Sequence, residues 1–446
     1  MSDAPPTQPS VVQPPLAGIG VTTGTLLIVA NMIGVGVFTT TGYMVGAIKS
    51  PIAVLVAWLV GGVAAFCGAL SYAELGSALP RNGGEYQFLS RIFHPVLGFT
   101  SGWVSLIVGF AAPLAAFAMA FGEYLNAIVP ELPPKVSGLV LIAALAVLHS
   151  LHVGTGSRTH NIFTLGKIAL ITVFIVAGLR RGNLSLLTDQ PQTPIGDALW
   201  SPNFPVQLLF VSFAYSGWNT AAYLAGEFRR PERDIPRAVL LGTAIVAVLY
   251  LGLNVVFLAS SPMTELGRDE NVARVAHVAA ISLFGPAAGQ FVSLMIALGL
   301  VSAVSANVMA GPRVYEAMGR DYPLLRFLAQ RRAGGGPVVA IALQAVLGAA
   351  MLLTASFDAL ITYVGMTLAL FAGATVLGVI VFRRREPDLQ RPYRTWGYPV
   401  TPVLFLIIEC WMIAAAVRRT PLTAAFSAGT VVAGLILYAV VRPRSE

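Results

Sequence analysis

Apolar stretches of about twenty residues, near the length that spans a bilayer, recur along the whole chain, and no other feature of the sequence limits its fold as tightly. A helix rises about 1.5 Å per residue, so about twenty residues match a hydrocarbon layer of about 30 Å. Twelve such runs are read at 18–47, 52–79, 96–127, 137–154, 160–180, 204–227, 238–260, 287–317, 337–354, 357–382, 400–417 and 421–441. Lipid offers no hydrogen-bond partners to a backbone, so continuous runs of this kind form helices. Charge is too sparse for the alternative of a soluble core: charged residues are 11% of the chain, against about 25% in soluble proteins. Cys67 and Cys410 both lie in apolar stretches, which argues against a disulfide framework or a metal site. Residues 1–17 are polar, Pro-rich and free of basic side chains; they do not read as a signal peptide and are expected to be a disordered cytoplasmic tail.

The net charge of +8 would suggest a nucleic-acid partner in a soluble chain. Its distribution gives a better explanation. With twelve spans, nineteen Lys and Arg residues fall on the side of the termini and eight on the other, and Lys167 alone remains inside a span. Basic residues collect in cytoplasmic loops, so both termini are expected in the cytoplasm, with the chain in the cell inner (plasma) membrane and no nucleic-acid partner.

Two spans carry breaks. Span 1 contains Gly34-Val35-Gly36, and span 6 contains Ser216-Gly217 near its middle, 183 residues after Gly34. Glycine weakens a helix by about 1 kcal/mol relative to Ala. Close packing of helices through small residues would account for span 1 alone. Interruptions at matching places in two halves point instead to a transporter site between inverted repeats. There an unwound turn offers N–H groups to a carboxylate and carbonyls to an ammonium, the two groups of a zwitterionic amino acid.

Around these breaks, Gly34-Val35-Gly36-Val37-Phe38 and Phe213-Ala214-Tyr215-Ser216-Gly217-Trp218-Asn219 resemble the amino acid–polyamine–organocation transporters, above all the L-type amino acid transporter branch and its bacterial relatives. Three loops strengthen the resemblance: Glu74-Leu75 through Pro80-Arg81-Asn82-Gly83-Gly84-Glu85-Tyr86, then Arg230-Pro231-Glu232-Arg233-Asp234-Ile235-Pro236-Arg237-Ala238, and Arg391-Pro392-Tyr393-Arg394 with Gly397-Tyr398-Pro399. The resemblance implies an all-α integral membrane protein of twelve transmembrane helices with a leucine-transporter-like 5+5 inverted repeat. The repeats would be 18–183 and 204–382, with helices 1 and 6 broken, and two extra helices would follow at 400–441.

By the same resemblance, the backbone around Ile33, Gly34, Val35 and Gly36 binds the substrate carboxylate. Phe213, Ala214, Ser216 and Gly217 frame the amine, and Phe213 acts as a gate. Val35 stands where many members have a small hydroxyl residue or Ala, so the side-chain hydroxyl contact is missing and the backbone donors remain. Gly226-Glu227 replaces the two adjacent acids often found in the family. Lys167, with Ser302 and Ser305 as neighbours, is implied to occupy the sodium site of related sodium-coupled carriers. From its position alone, Lys167 could equally snorkel to the headgroups.

The expected function is alternating-access transport of neutral L-amino acids without sodium, by exchange or with protons. A polyamine or other amine permease and a non-transporting amino acid sensor are the alternatives. No catalytic group, cofactor or metal site is expected. Nor is a disulfide-linked heavy chain, since the loop 128–136 has no cysteine. Channels need rings of carbonyls or charges that this chain lacks.

Overall fold

A computed structural model describes residues 18–151, 157–189, 193–331 and 336–441, with the backbone alone at 157–160 and 163. The tail expected over 1–17 lies outside the described residues. The described residues form α1 (Val21–Met32), α2 (Gly36–Ile48), α3 (Pro51–Ala78), α4 (Glu85–Ile92), α5 (Pro95–Val104), α6 (Ala112–Asn126), α7 (Pro134–Leu151), α8 (Ser157–Arg181), α9 (Ile195–Trp200), α10 (Phe204–Tyr215), α11 (Thr220–Tyr223), α12 (Pro231–Ser260), α13 (Met263–Leu266), α14 (Val275–Phe284), α15 (Pro286–Asp321), α16 (Val338–Thr354), α17 (Phe357–Arg385), α18 (Val400–Arg419) and α19 (Pro421–Val441).

Proline opens many of these helices, at Pro51, Pro95, Pro134, Pro231, Pro286 and Pro421. Its missing N–H costs nothing at a first turn, and its fixed φ already suits a helix. This rule moves one boundary. The segment Arg230–Ala238, read from the sequence as a loop, starts α12 at Pro231, with Glu232 and Asp234 in the first turn, where acids favour the helix dipole. Between α5 and α6 the ladder widens into a π segment, Ser105–Ala111, just ahead of Pro113. Proline cannot donate to the preceding turn and its ring crowds it.

Nine helices among the described residues are long and apolar enough to cross a membrane, with α1–α2 and α5–α6 each counted as one. The three further runs read from the sequence correspond to α8, to α10, which stops after 12 residues, and to the 17-residue α16. Val173, Val248, Leu298, Val346 and Ile436 are each more than half exposed, as suits side chains facing lipid in an integral membrane protein.

The spans pack in two groups of four. Spans 1, 2, 6 and 7 associate through α1 and α3 against α12 and through α10 against α2 and α3. Spans 3, 4, 8 and 9 associate through α6, α7, α15 and α16. Span 5 (α8) lies against α1 and α12, and span 10 (α17) against α10 and α3. α18 covers α17 and α3, and α19 covers α17 and α5. Glu409 of α18 is buried and so faces neighbouring helices, not lipid.

Candidate functional site

Span 1 breaks over three residues. The helix α1 ends at Met32, Ile33 leaves helical geometry with ψ 76°, and the Gly34 N–H turns back onto the Met32 carbonyl at 2.8 Å. The chain re-enters a helix at Gly36. The N–H groups of Gly36 and Val37 therefore lack an intrahelical acceptor and carry the positive end of the α2 dipole. A side chain at Gly36 is impossible, because a Cβ there would lie 2.5 Å from the Cα of Ala214 on α10. Ile33 and Val35 are buried, and Gly34 faces the Phe117 ring of span 3.

In span 6, α10 ends at Tyr215, Ser216 is extended, and Gly217 adopts φ 109°, which L side chains avoid. A Cβ at Gly217 would also lie 2.9 Å from the Asn31 carbonyl carbon. The two breaks thus touch in both directions, Gly36 on Ala214 and Gly217 on the Asn31–Met32 peptide. Over the crossing, the Tyr250 hydroxyl of α12 lies 2.5 Å from the Met32 carbonyl oxygen and 3.1 Å from that of Ala214. Trp58 and Tyr215 pack around it, with ring centroids 5.4 and 5.1 Å from that of Tyr250. Phe213 and Ala214 are buried in the last turn of α10, and Ser216 is half-buried. The carboxylate-binding and amine-binding segments expected from the sequence are therefore brought side by side. Tyr250 was missed: a single tyrosine in an apolar run carries no signal of its own.

Lys167 lies one layer behind the span 1 break. With Ala30, Asn31, Thr164, Ser302, Ala303 and Ala306 it lines a small cavity. It also borders a larger, apolar cavity that reaches Ile33, Gly34 and Phe38. Ser302 lines the small cavity with it. Ser305 is turned to span 4 instead, where its hydroxyl and His149 Nε2 are 2.8 Å apart. Among the described residues no group of three or more His, Cys, Asp or Glu is placed to hold a metal ion.

The sequence profile of the family described as amino acid permease matches residues 19–441. The chain belongs to the amino acid permease family. Among its relatives, the serine/threonine exchanger SteT of Bacillus subtilis is 27% identical over an alignment covering 94% of this chain and 95% of that one. The large neutral amino acids transporter small subunit 2 of Oryctolagus cuniculus is 30% identical, covering 94% and 79%. The b(0,+)-type amino acid transporter 1 of Rattus norvegicus is 27% identical, covering 90% and 83%.

In this permease the loop motifs build two polar clusters on the arginine-rich side. Glu74, at the end of span 2, accepts two bonds from Arg383 of α17, at 2.8 and 2.6 Å, and one from the Thr395 N–H at 2.6 Å. Arg391 stands 3.5 Å away, and the Arg383 guanidinium lies 3.8 Å over the Tyr398 ring. A carboxylate this buried needs such a full set of donors. The second cluster surrounds Glu85, buried at the start of α4. Tyr72 Oη donates to Glu85 Oε1 at 2.6 Å and Asn219 Nδ2 at 3.1 Å. Burial pushes the Glu85 carboxyl above the usual carboxylate range, outweighing the opposing hydrogen bonds from Tyr72, Asn219 and Tyr223. The motifs flagged these loops, but the partners of Glu74 and Glu85 lie far off in sequence.

Proposed function

We propose that this permease carries neutral L-amino acids across the plasma membrane by alternating access, independently of sodium, as an exchanger or with protons. The observation that carries the reading is the contact between the two breaks. It sets the N–H end of α2 beside the carbonyl end of α10, two opposite partial charges within reach of one zwitterion. The carboxylate takes the N–H groups around Val35 and Gly36. The ammonium takes carbonyls at Phe213, Ala214 and Ser216, and Phe213 closes over it. Lys167 supplies a fixed positive charge where a coupling cation would otherwise sit. Ser302 is beside it. Among the described residues that line the cavities beside the span 1 break there is no acid to select a cationic side chain, which favours neutral substrates, as do the names of the serine/threonine exchanger and the large neutral amino acids transporter subunit.

The proposed architecture is twelve spans, with inverted repeats at 18–183 and 204–382, two further spans at 400–441, and both termini in the cytoplasm. The packing supports it: span 5 lies on spans 1 and 7 as span 10 lies on spans 6 and 2, which is the exchange an inverted repeat requires. The chain acts as a carrier and not as an enzyme, and without a disulfide-linked heavy chain. The test is uptake of a radiolabelled amino acid mixture by proteoliposomes, with and without internal amino acid or a proton gradient. Competition by each of the twenty amino acids then identifies the substrates. Binding to the purified protein without flux under any gradient would favour a sensor instead.

A further inference from the structure

The Glu85 cluster is not needed for the substrate contacts above, yet it grips the same broken span. The loop before α4 is fastened to the inner half of span 6 at three hydrogen bonds. The Gly83 N–H donates to the Tyr223 carbonyl at 3.2 Å, the Gly226 N–H donates to Asn82 Oδ1 at 2.8 Å, and Asn219 donates to Glu85. Gly84, at φ 51°, lies so close that a Cβ would meet the Tyr223 ring at 2.8 Å. The neighbouring Tyr86 points the other way, and its hydroxyl donates to Asp321 Oδ2 at the end of span 8, at 2.6 Å. The Asn82–Tyr86 stretch therefore ties span 6, from the first group of spans, to span 8, from the second.

We propose that Glu85 is a proton-binding latch on the cytoplasmic side: carrying a proton it holds the inner half of span 6 shut, and losing that proton to cytoplasmic water frees it. This rests on the transporter reading and adds its regulation. Tyr72 and Asn219 both donate to Oε1, as to the carbonyl oxygen of a neutral carboxyl. Tyr223 faces the same carboxyl.

Among the described residues no cation neutralises it. On α3, Glu74 is taken by Arg383. On α4, Tyr86 bonds Asp321 and Arg91 pairs with Glu386. On α17, Arg385 donates to the Ile92 carbonyl. His94, ahead of α5, accepts the Val96 N–H. Tyr315 of α15 lies behind Tyr223. Burial without a counter-charge makes the latched state bind the proton more tightly than a freed, hydrated one, so acid favours the latched state.

The test measures exchange of radiolabelled L-serine and L-leucine by proteoliposomes of the full chain as pH is lowered. Each pKa unit separating the two states shifts their ratio up to tenfold, so wild-type exchange is expected to fall at least about threefold between pH about 7.5 and about 5.5. Glu85→Gln, which cannot lose a proton, should be slow and flat across the range. Tyr72→Phe, which removes one latch bond and keeps the ring, should resist the acid slowing. If acid slows either variant as much as wild type, or leaves wild type unaffected, the latch is overturned. If the wild type exchanges nothing at any pH, the transporter reading itself fails.

Discussion

The two broken spans solve the same problem by different means. The span 1 break is three residues long, and the chain resumes a full 13-residue helix, α2, whose start is buried against α10. The span 6 break leads only into the four-residue α11 and one turn of 3-10 helix, Ala225–Glu227. Polar bonds hold that inner half: Thr220 Oγ1 to the Gly217 carbonyl at 2.7 Å, Asn219 to Glu85, and Gly226 to Asn82. Packing is lost only when helices separate, whereas hydrogen bonds can be exchanged for water at a net cost of about 1 kcal/mol each. Under the latch proposal the first break serves as a fixed floor and the second as the part that moves.

The contrast can be broken at its tightest point. Gly217→Ala adds a Cβ at positive φ and against the Asn31 peptide, two penalties of about 1–3 kcal/mol each. Transport in proteoliposomes should be lost or reduced by more than about tenfold. Lys167→Ala should slow exchange nearly as severely while thermal unfolding in detergent stays close to wild type; unchanged exchange would remove Lys167 from the cycle. Phe213→Ala should reduce flux several-fold and equilibrium binding much less, and equal losses would reduce it to a packing residue. Tyr250→Phe removes a hydroxyl that bridges both breaks and should cost about two- to fivefold in exchange, consistent with one hydrogen bond. Replacing sodium with choline should have no effect at all, and a strict sodium requirement would contradict the role given to Lys167.

The breaks were legible in the sequence because glycine and Ser-Gly are conspicuous inside apolar runs, and both turned out to be sites where a Cβ has no room. The spans were legible because lipid imposes one length and one polarity on them. The ten-residue α14 escaped notice, being too short for a span and lying in what read as a loop. The start of α12 was misplaced by a charged first turn that looks like a loop until Pro231 is recognised as its opening residue. Partners were the least legible part. Glu74 and Arg383 lie 309 residues apart, Glu85 and Asn219 lie 134 apart, and nothing local tells Ser305 to meet His149 while Ser302 lines a cavity with Lys167. Such pairings depend on helix rotation and packing, which sequence periodicity does not encode in helices apolar on nearly every face.

The central claim, that an amino acid sits where the two breaks touch, is tested most directly by an experimental structure of the purified protein with a transported amino acid bound. The account predicts the carboxylate at the N–H groups of Val35 and Gly36 and the ammonium at the carbonyls of Phe213, Ala214 and Ser216. Substrate density lodged elsewhere, for instance in the apolar cavity beside Lys167, would contradict it.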